Sequence, residues 1–389
     1  MENFHFYSPT YFSFGKKAEQ GVGKLVKKFG GNKVLLHFGG SSAQKSGLLD
    51  IVKSSIKEEN IEFIELGGVK PNPKSGLVYQ GIEICKENNI DFILAVGGGS
   101  VIDSAKAIAL GSLYNGDFWD FYSGKARVEK ALPIGTILTI SAAGSEGSPD
   151  SVITHENGNL KWATSGDELR PKFSILNPEY TCNLPDYQSA CGIVDIFVHL
   201  TERYFSNTQN VEITDRLLEG VLKTMLSQGR KCLQNPKDYD IRANIMWAGM
   251  VAHNNVCGVG RVQDWASHGI EHELSALYDC AHGAGLAVIF PSWLSYVSKS
   301  NPSKVIQFAK RVFDLKIEDE QELIKEVVIK VKEFFSSIGM PINFEQLGAK
   351  KEDIPYMVSR LINNDRARLG NYVRLDANAI TEIYNLACK

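Results

Sequence analysis

The 389-residue sequence has little of what marks an extracellular, membrane or nucleic-acid-binding protein. It has no C-x-x-C pair. Its seven cysteines (85, 182, 191, 232, 257, 280 and 388) are scattered and odd in number. That excludes a disulfide scaffold and reads as reduced thiols in a cytoplasmic protein. No apolar run approaches the roughly 20 residues needed to cross a bilayer. The start, Met-Glu-Asn-Phe-His, has no basic stretch leading into an apolar one, so no signal peptide is expected. Basic residues are not in excess: the formal net charge is -3, which gives no sign of a nucleic-acid or membrane-surface role. There is no internal repeat and no low-complexity tract. Neither G-x-G-x-x-G nor a Walker A loop occurs. What remains is ordinary for a globular chain, 43% hydrophobic and 22% charged, long enough for two or three domains and a large core.

The first half alternates strand and helix signals. Lys33–Phe38, Ile61–Leu66, Phe92–Val96 and Ile134–Ile140 read as strands; Leu48–Lys57 and Ser75–Asn88 read as helices. Such alternation predicts a parallel sheet with helices on both faces, which binds ligands at the carboxyl ends of its strands. Three of those ends carry glycine or serine: Gly39-Gly40-Ser41-Ser42, Gly97-Gly98-Gly99-Ser100, and Ser141-Ala-Ala-Gly144-Ser145. Beyond Leu184-Pro185 long amphipathic helix patterns take over, as in Val211–Leu226, Ile241–Asn254, Pro302–Phe313 and Glu320–Ser337. The expectation is an α/β domain over 1–184 and an all-helical domain over 185–389.

Two patterns carry chemistry. In the second strand-end, an apolar run stops at three glycines and a helix begins, with Ser100 as its expected N-cap. Glycines let a ligand approach the backbone, and the new helix offers unpaired N–H groups, the geometry of a diphosphate cradle. The alternative is an ordinary strand-to-helix turn. In the helical half, Asp195-x-x-x-His199 and His268-x-x-x-His272 each set two donors one turn apart on a helix face, and His282 follows. One carboxylate and imidazoles suit a borderline divalent ion such as Fe2+ or Zn2+. By spacing alone His272 is as well placed as His268. His253, on an apolar helix, reads as structural, and His5, His37 and His155 show no supporting pattern.

These residues resemble the iron-dependent (group III) alcohol dehydrogenases over essentially the full length, most closely the branch of butanol dehydrogenases and broad-range aldehyde reductases. The resemblance rests on Gly97-Gly-Gly-Ser100-x-x-Asp103-x-x-Lys106, on Gly144-Ser145-Glu146 and on Asp195-x-x-x-His199. It rests further on Gly258-Val-Gly-Arg-Val-Gln-Asp-Trp265-Ala-Ser-His268-Gly-Ile-Glu-His272 and on Tyr278-Asp-Cys-Ala-His282-Gly-Ala-Gly285. It implies a dehydroquinate-synthase-like fold, a nucleotide-binding α/β domain with an all-α metal-binding domain. It implies metal ligation by Asp195, His199, His268 and His282, with Fe2+ native and Zn2+ or Ni2+ as substitutes. His272 would lie near the substrate and relay a proton. Gly97, Gly98, Gly99, Ser100, Asp103, Ser141 and Ser145 would serve the cofactor. A small aldehyde or alcohol would be the substrate, and a homodimer the assembly. The loop departs from the family's Ala-Thr-Gly-Ser-Glu at Ala143, where a hydroxyl is missing, and again at Gly147-Ser-Pro149.

The end of the first strand bears on cofactor choice. An acidic residue there typically binds the ribose 2′-OH of NAD. Gly39, Gly40 and Ser41 offer hydroxyl and N–H groups instead, and Lys161 corresponds to a lysine near the phosphate of NADPH-dependent relatives. NADP(H) is therefore favoured over NAD(H). The contrary reading makes Gly39–Ser42 a permissive turn and Lys161 a solvated charge. Two other functions are weighed: a dehydroquinate-synthase-like or glycerol-dehydrogenase-like enzyme on the same fold, and a non-catalytic nucleotide-binding protein. The synthase would need basic residues around the metal, and only Arg261 is near His268 in sequence.

Overall fold

The computed structural model describes residues 1–40, 43, 45–362 and 369–389. Ser41 and Ser42, named above, lie outside the described residues. The strands are β1 Tyr11–Phe14, β2 Lys33–Phe38, β3 Glu62–Leu66, β4 Phe92–Gly97, β5 Ile134–Leu138, β6 Asp150–His155, β7 Leu160–Ser165 and β8 Phe173–Leu176. Six form one sheet in the order β1-β8-β5-β4-β2-β3, with every neighbouring pair parallel. β6 and β7 make a separate antiparallel hairpin. The four expected strands are present; β1, β8 and the hairpin were not foreseen. β1 and β8 are only four residues each, too short for a period-two pattern to stand out.

Two helical layers cover the sheet. Along β2 and β4, Leu35, Ile93 and Ala95 enter one core cluster, while Val34, Leu36, Phe38, Phe92, Leu94 and Val96 enter the other. That is the period of two, buried on both faces, which is why these strands read as continuous apolar runs. The first cluster is shared with α3 Ser75–Asn88 and α4 Gly99–Ser112. The second is shared with α1 Val22–Lys28 and α2 Leu48–Glu58.

Beyond Pro185 the regular elements among the described residues are helices, apart from a single bridge between Leu369 and Leu375; α5 Asp186–Tyr204, α6 Glu212–Gln234, α7 Tyr239–His253, α8 Ala266–Tyr278 and α9 His282–Val297 are those before residue 300. α9 is buried from Gly283 to Leu294, as a helix apolar on all sides must be. Phe290 and Phe197 meet edge-on at 6.1 Å, binding α9 to α5.

The chain forms two compact units, but not as two consecutive blocks. One comprises Tyr7–Leu184 and Lys237–Asn254; the other comprises Met1–Phe6, Pro185–Pro236 and Asn255–Lys389. α7, read from sequence as part of the helical half, thus belongs with the sheet. The reason is local packing. The rings of Phe12 and Phe14 meet Trp247 edge-on at 5.8 and 5.9 Å, and His253 Nε2 lies 2.8 Å from Asp150 Oδ2.

Candidate metal centre and nucleotide cradle

The helical unit gathers the donors through one close helix contact. A Cβ added to Gly283 would stand 2.1 Å from the Cys191 carbonyl oxygen, so α9 meets α5 backbone to backbone. His282, first residue of α9, is thereby brought to Asp195, one turn beyond Cys191. His199 Nε2, His282 Nε2 and His268 Nε2 stand 3.3, 3.7 and 3.8 Å from the same atom, Asp195 Oδ1. Asp195, His268 and His282 offer ligand atoms all within 4.8 Å of one another. The His199 ring lies 4.4 Å from that of His268. Donors around an ion at 2.0–2.2 Å in tetrahedral array are about 3.4 Å apart, so this spacing fits a divalent metal. A second observation agrees. Asp195 Oδ1 and His268 Nε2 are buried and have no hydrogen-bond partner, which a folded protein tolerates rarely. His272 stands aside: its ring is 5.7 Å from that of His282, and it groups with Glu271 and His282 rather than with Asp195.

Two carboxylates that the sequence reading passed over hold the imidazoles from behind. Glu202 Oε1 accepts from the backbone N–H of His268 at 3.0 Å and lies 3.1 Å from its Nδ1; Glu202 Oε2 accepts from the backbone N–H of Trp265 at 2.9 Å. Glu271, fully buried, pairs through Oε2 with His282 Nδ1. Each turns the opposite ring nitrogen, Nε2, toward Asp195, the arrangement that fixes tautomer and basicity in metal-binding histidines. Burial would lower the His268 pKa, yet Asp195 and Glu202 push it up to about 9, so this place favours positive charge. A signal existed: Glu202 is three residues past His199, and Glu271 directly precedes His272.

In the sheet unit the expected cradle closes β4. Gly97 ends the strand, Gly98 is extended at φ -90° and ψ -170°, and α4 begins at Gly99. Gly98, not Ser100, is the N-cap; its carbonyl accepts from the N–H groups of Val101 and Ile102 at 3.0 and 3.2 Å. No side chain caps the helix, so its first N–H groups are left to a ligand or to water. A Cβ at Gly98 would lie 3.1 Å from Ile140 Cβ, and one at Gly99 would lie 3.5 Å from Ala143 Cβ. The loop after β5, which includes the buried Ser141, therefore lies directly against the cradle. The side chains of Asp103 and Ser145 are engaged with each other. The Ser145 hydroxyl donates to Asp103 Oδ1 at 2.6 Å and accepts from Lys106 Nζ at 2.8 Å, and Asp103 Oδ2 accepts from the Val152 N–H at 3.0 Å. Both side chains hold the loop. Gly39 continues the turn after β2, accepting from the Gly68 N–H at 3.0 Å, and Gly40 has open space around its Cα.

The family profiles described as "Iron-containing alcohol dehydrogenase" and "Fe-containing alcohol dehydrogenase family, C-terminal" match residues 9–178 and 189–388. The chain belongs to the iron-containing alcohol dehydrogenase family. Among relatives, it is 38% identical to NADH-dependent butanol dehydrogenase A of Clostridium acetobutylicum, with 99% of each chain covered. It is 34% identical to the NADPH-dependent aldehyde reductase YqhD of Escherichia coli, with all of both chains covered. The crystal structure of an NADH-dependent butanol dehydrogenase A from Thermotoga maritima superposes with a TM-score of 0.97 at 40% identity, over 100% of this chain and 99% of that one.

Within this family the departures have visible surroundings. Ala143, where the hydroxyl is missing, faces Gly99 of the cradle. Gly147 is pressed between Met250, Phe12 and Asn254, leaving a Cβ only 3.3–3.4 Å of clearance. Lys161 is not a solvated charge: it is buried on β7, and Nζ donates to Asn72 Oδ1 at 3.2 Å. Arg261 is committed to structure, donating to Asp215 Oδ1 at 2.8 Å and to the Arg203 carbonyl at 3.1 Å, so it offers no phosphate site beside the metal centre. His253 is structural, as expected; it helps to hold Asp150 below the usual carboxylate range against the effect of burial. His37 is buried between the Leu66 carbonyl and Ser104, and burial lowers it to about 4.

Proposed function

We propose that this protein is a metal-dependent alcohol dehydrogenase and aldehyde reductase, moving a hydride reversibly between a nicotinamide cofactor and a small primary alcohol or aldehyde. The observation that carries the reading is the convergence of Asp195, His199, His268 and His282 on one buried point, where two polar atoms lack a hydrogen bond. These four residues would hold Fe2+, and Zn2+ or Ni2+ could occupy the same donors. The bound ion supplies Lewis acidity toward the substrate oxygen, and the nicotinamide supplies or takes the hydride. The chain's own residues do the rest. Glu202 and Glu271 keep two imidazoles aimed at the ion. The N–H groups at the start of α4, with the helix dipole behind them, hold the cofactor diphosphate. His272, partly buried beside His282, passes the proton that alcohol oxidation releases. The alcohol or aldehyde substrate is supported by the relatives' names, a butanol dehydrogenase and an aldehyde reductase.

The test is a reconstitution with Fe2+, Zn2+ and Ni2+ in turn, followed by NADPH and NADH consumption with butanal. No turnover with any metal would sink the reading. In His272→Ala, full metal content should persist while kcat falls roughly 10²–10⁴-fold, the usual worth of a positioned proton-transfer group, and the pH profile should change. Loss of the ion instead would make His272 a ligand.

The finer reading is NADP(H) over NAD(H). It is supported by the absence of a carboxylate at Gly39-Gly40 after β2 and by the buried ammonium of Lys161. The relatives' names divide, NADH for the butanol dehydrogenases and NADPH for the aldehyde reductase. The ratio of kcat/KM for NADPH to that for NADH should exceed one and should fall in Lys161→Ala. A clear NADH preference would overturn it. The reading also includes a cytoplasmic homodimer. No disulfide links the seven cysteines, and β1 is an edge strand with exposed Tyr11 and Phe14, which a second copy could cover.

A further inference from the structure

Lys106 is wholly buried, yet nothing in the proposed reaction uses it. It sits on α4 two turns past the cradle. Its ammonium is not in a simple ion pair. Nζ donates to the carbonyl oxygens of Ser145, Ser148 and Asp150 at 2.8, 2.9 and 2.7 Å, and to the Ser145 hydroxyl at 2.8 Å. Three backbone carbonyls of one short loop thus converge on a single cation. Around them lie the charges of Asp103, Asp150 and Glu146, with Arg170 opposing. Burial lowers the ammonium to about 8, less far than it would without those carboxylates. Such a cage has the character of an alkali-cation site, with a tethered ammonium as its ion.

The caged loop is continuous with Ile140–Gly144, the segment that lies against Gly98 and Gly99. Its start is fixed by the end of β5. Its other end is fixed at Gly144, whose φ of +65° and 2.5 Å clearance from the Gly249 carbonyl allow no side chain. We propose that Lys106 is an internal cation that shapes the Ser145–Asp150 loop and thereby holds Ile140–Gly144 over the diphosphate cradle, so that it sets cofactor affinity without touching cofactor or substrate. This rests on the cradle reading of Gly98–Ser100. Lys106 is a positioning residue, and its role is electrostatic and replaceable: any cation of the right size in the cage should serve.

Chemical rescue tests this. Lys106→Ala in the metal-loaded enzyme removes three methylenes and the ammonium, a volume that propylammonium matches. NADPH and NADH affinities are read by cofactor fluorescence. Losing charge-assisted hydrogen bonds should weaken cofactor binding by roughly tenfold to a hundredfold. The kcat at saturating cofactor should stay within about threefold, because the metal and its substrate face are untouched. Propylammonium should restore affinity better than methylammonium or pentylammonium. Unchanged affinity in the folded variant would overturn the proposal, as would weakened binding that no amine restores. If Lys106→Ala does not fold, Ser145→Ala removes the hydroxyl shared by Lys106 and Asp103; cofactor affinity equal to the unmodified protein's would then count against the cage. Gly98→Val separates the two readings. Should it bind cofactor normally, the cradle falls; should it lose cofactor while Lys106→Ala keeps it, only the role of Lys106 falls.

Discussion

His268→Ala should lose its metal and its turnover together. Metal content measured by mass spectrometry should fall from about one ion per chain to a small fraction, and activity by more than the roughly 10–100-fold that follows loss of a group merely supporting a ligand. The physical reason is that the site is buried and charged. Without the His268 Nε2, Asp195 faces its remaining imidazoles with one donor fewer, and Glu202 loses the ring nitrogen it orients. Full metal content in this variant would sink the assignment of all four donors.

Gly98→Val should bind cofactor roughly a hundredfold or more weakly while keeping its metal. The added Cβ would meet Ile140 Cβ at 3.1 Å, and two further methyl groups would have to be accommodated at the N-cap of α4, where the diphosphate is proposed to approach. Several charge-assisted hydrogen bonds, each worth about 1.5–3 kcal/mol, would then be blocked. Fluorescence titration with NADPH and NADH reads the effect. Unchanged affinity would show that Gly98 lies away from the cofactor.

The parts of this protein that were legible in its sequence are those set by local periodicity. β2 and β4 fall where continuous apolar runs put them, because both of their faces are buried, β3 where alternation of period two puts it, and α3 where helical spacing does. Helical spacing brought out Asp195 with His199 and His268 with His272; the choice of His282 over His272 as the fourth donor came from the family resemblance. What spacing could not supply was depth. His268 and His272 are equivalent on paper, and only the fold separates them, through the approach of α9 that Gly283 permits. Glu202 and Glu271 were visible as letters but not as partners, since their targets lie 66 and 11 residues away. Ser100 looked like a cap because serine commonly is one, yet the extended Gly98 already occupies that place. Ser145 and Asp103 belong to a motif that suggests cofactor contact, but their side chains satisfy each other. The return of α7 to the sheet had no local signal at all, because its pattern is that of any amphipathic helix.

That return sets an order of synthesis. Leu184 leaves the ribosome with all eight strands made, but the unit they belong to is not complete until Asn254. Seventy residues intervene, roughly 4–14 seconds at 5–20 residues per second. During that interval Phe12 and Phe14 have no Trp247 to pack on, Asp150 has no His253, and Gly144 has no helix against its left-handed turn. The sheet therefore waits, unfinished at one edge, while α5 and α6 of the other unit are already being made. The two units are interleaved in time as well as in sequence, and neither is born whole before the other has begun.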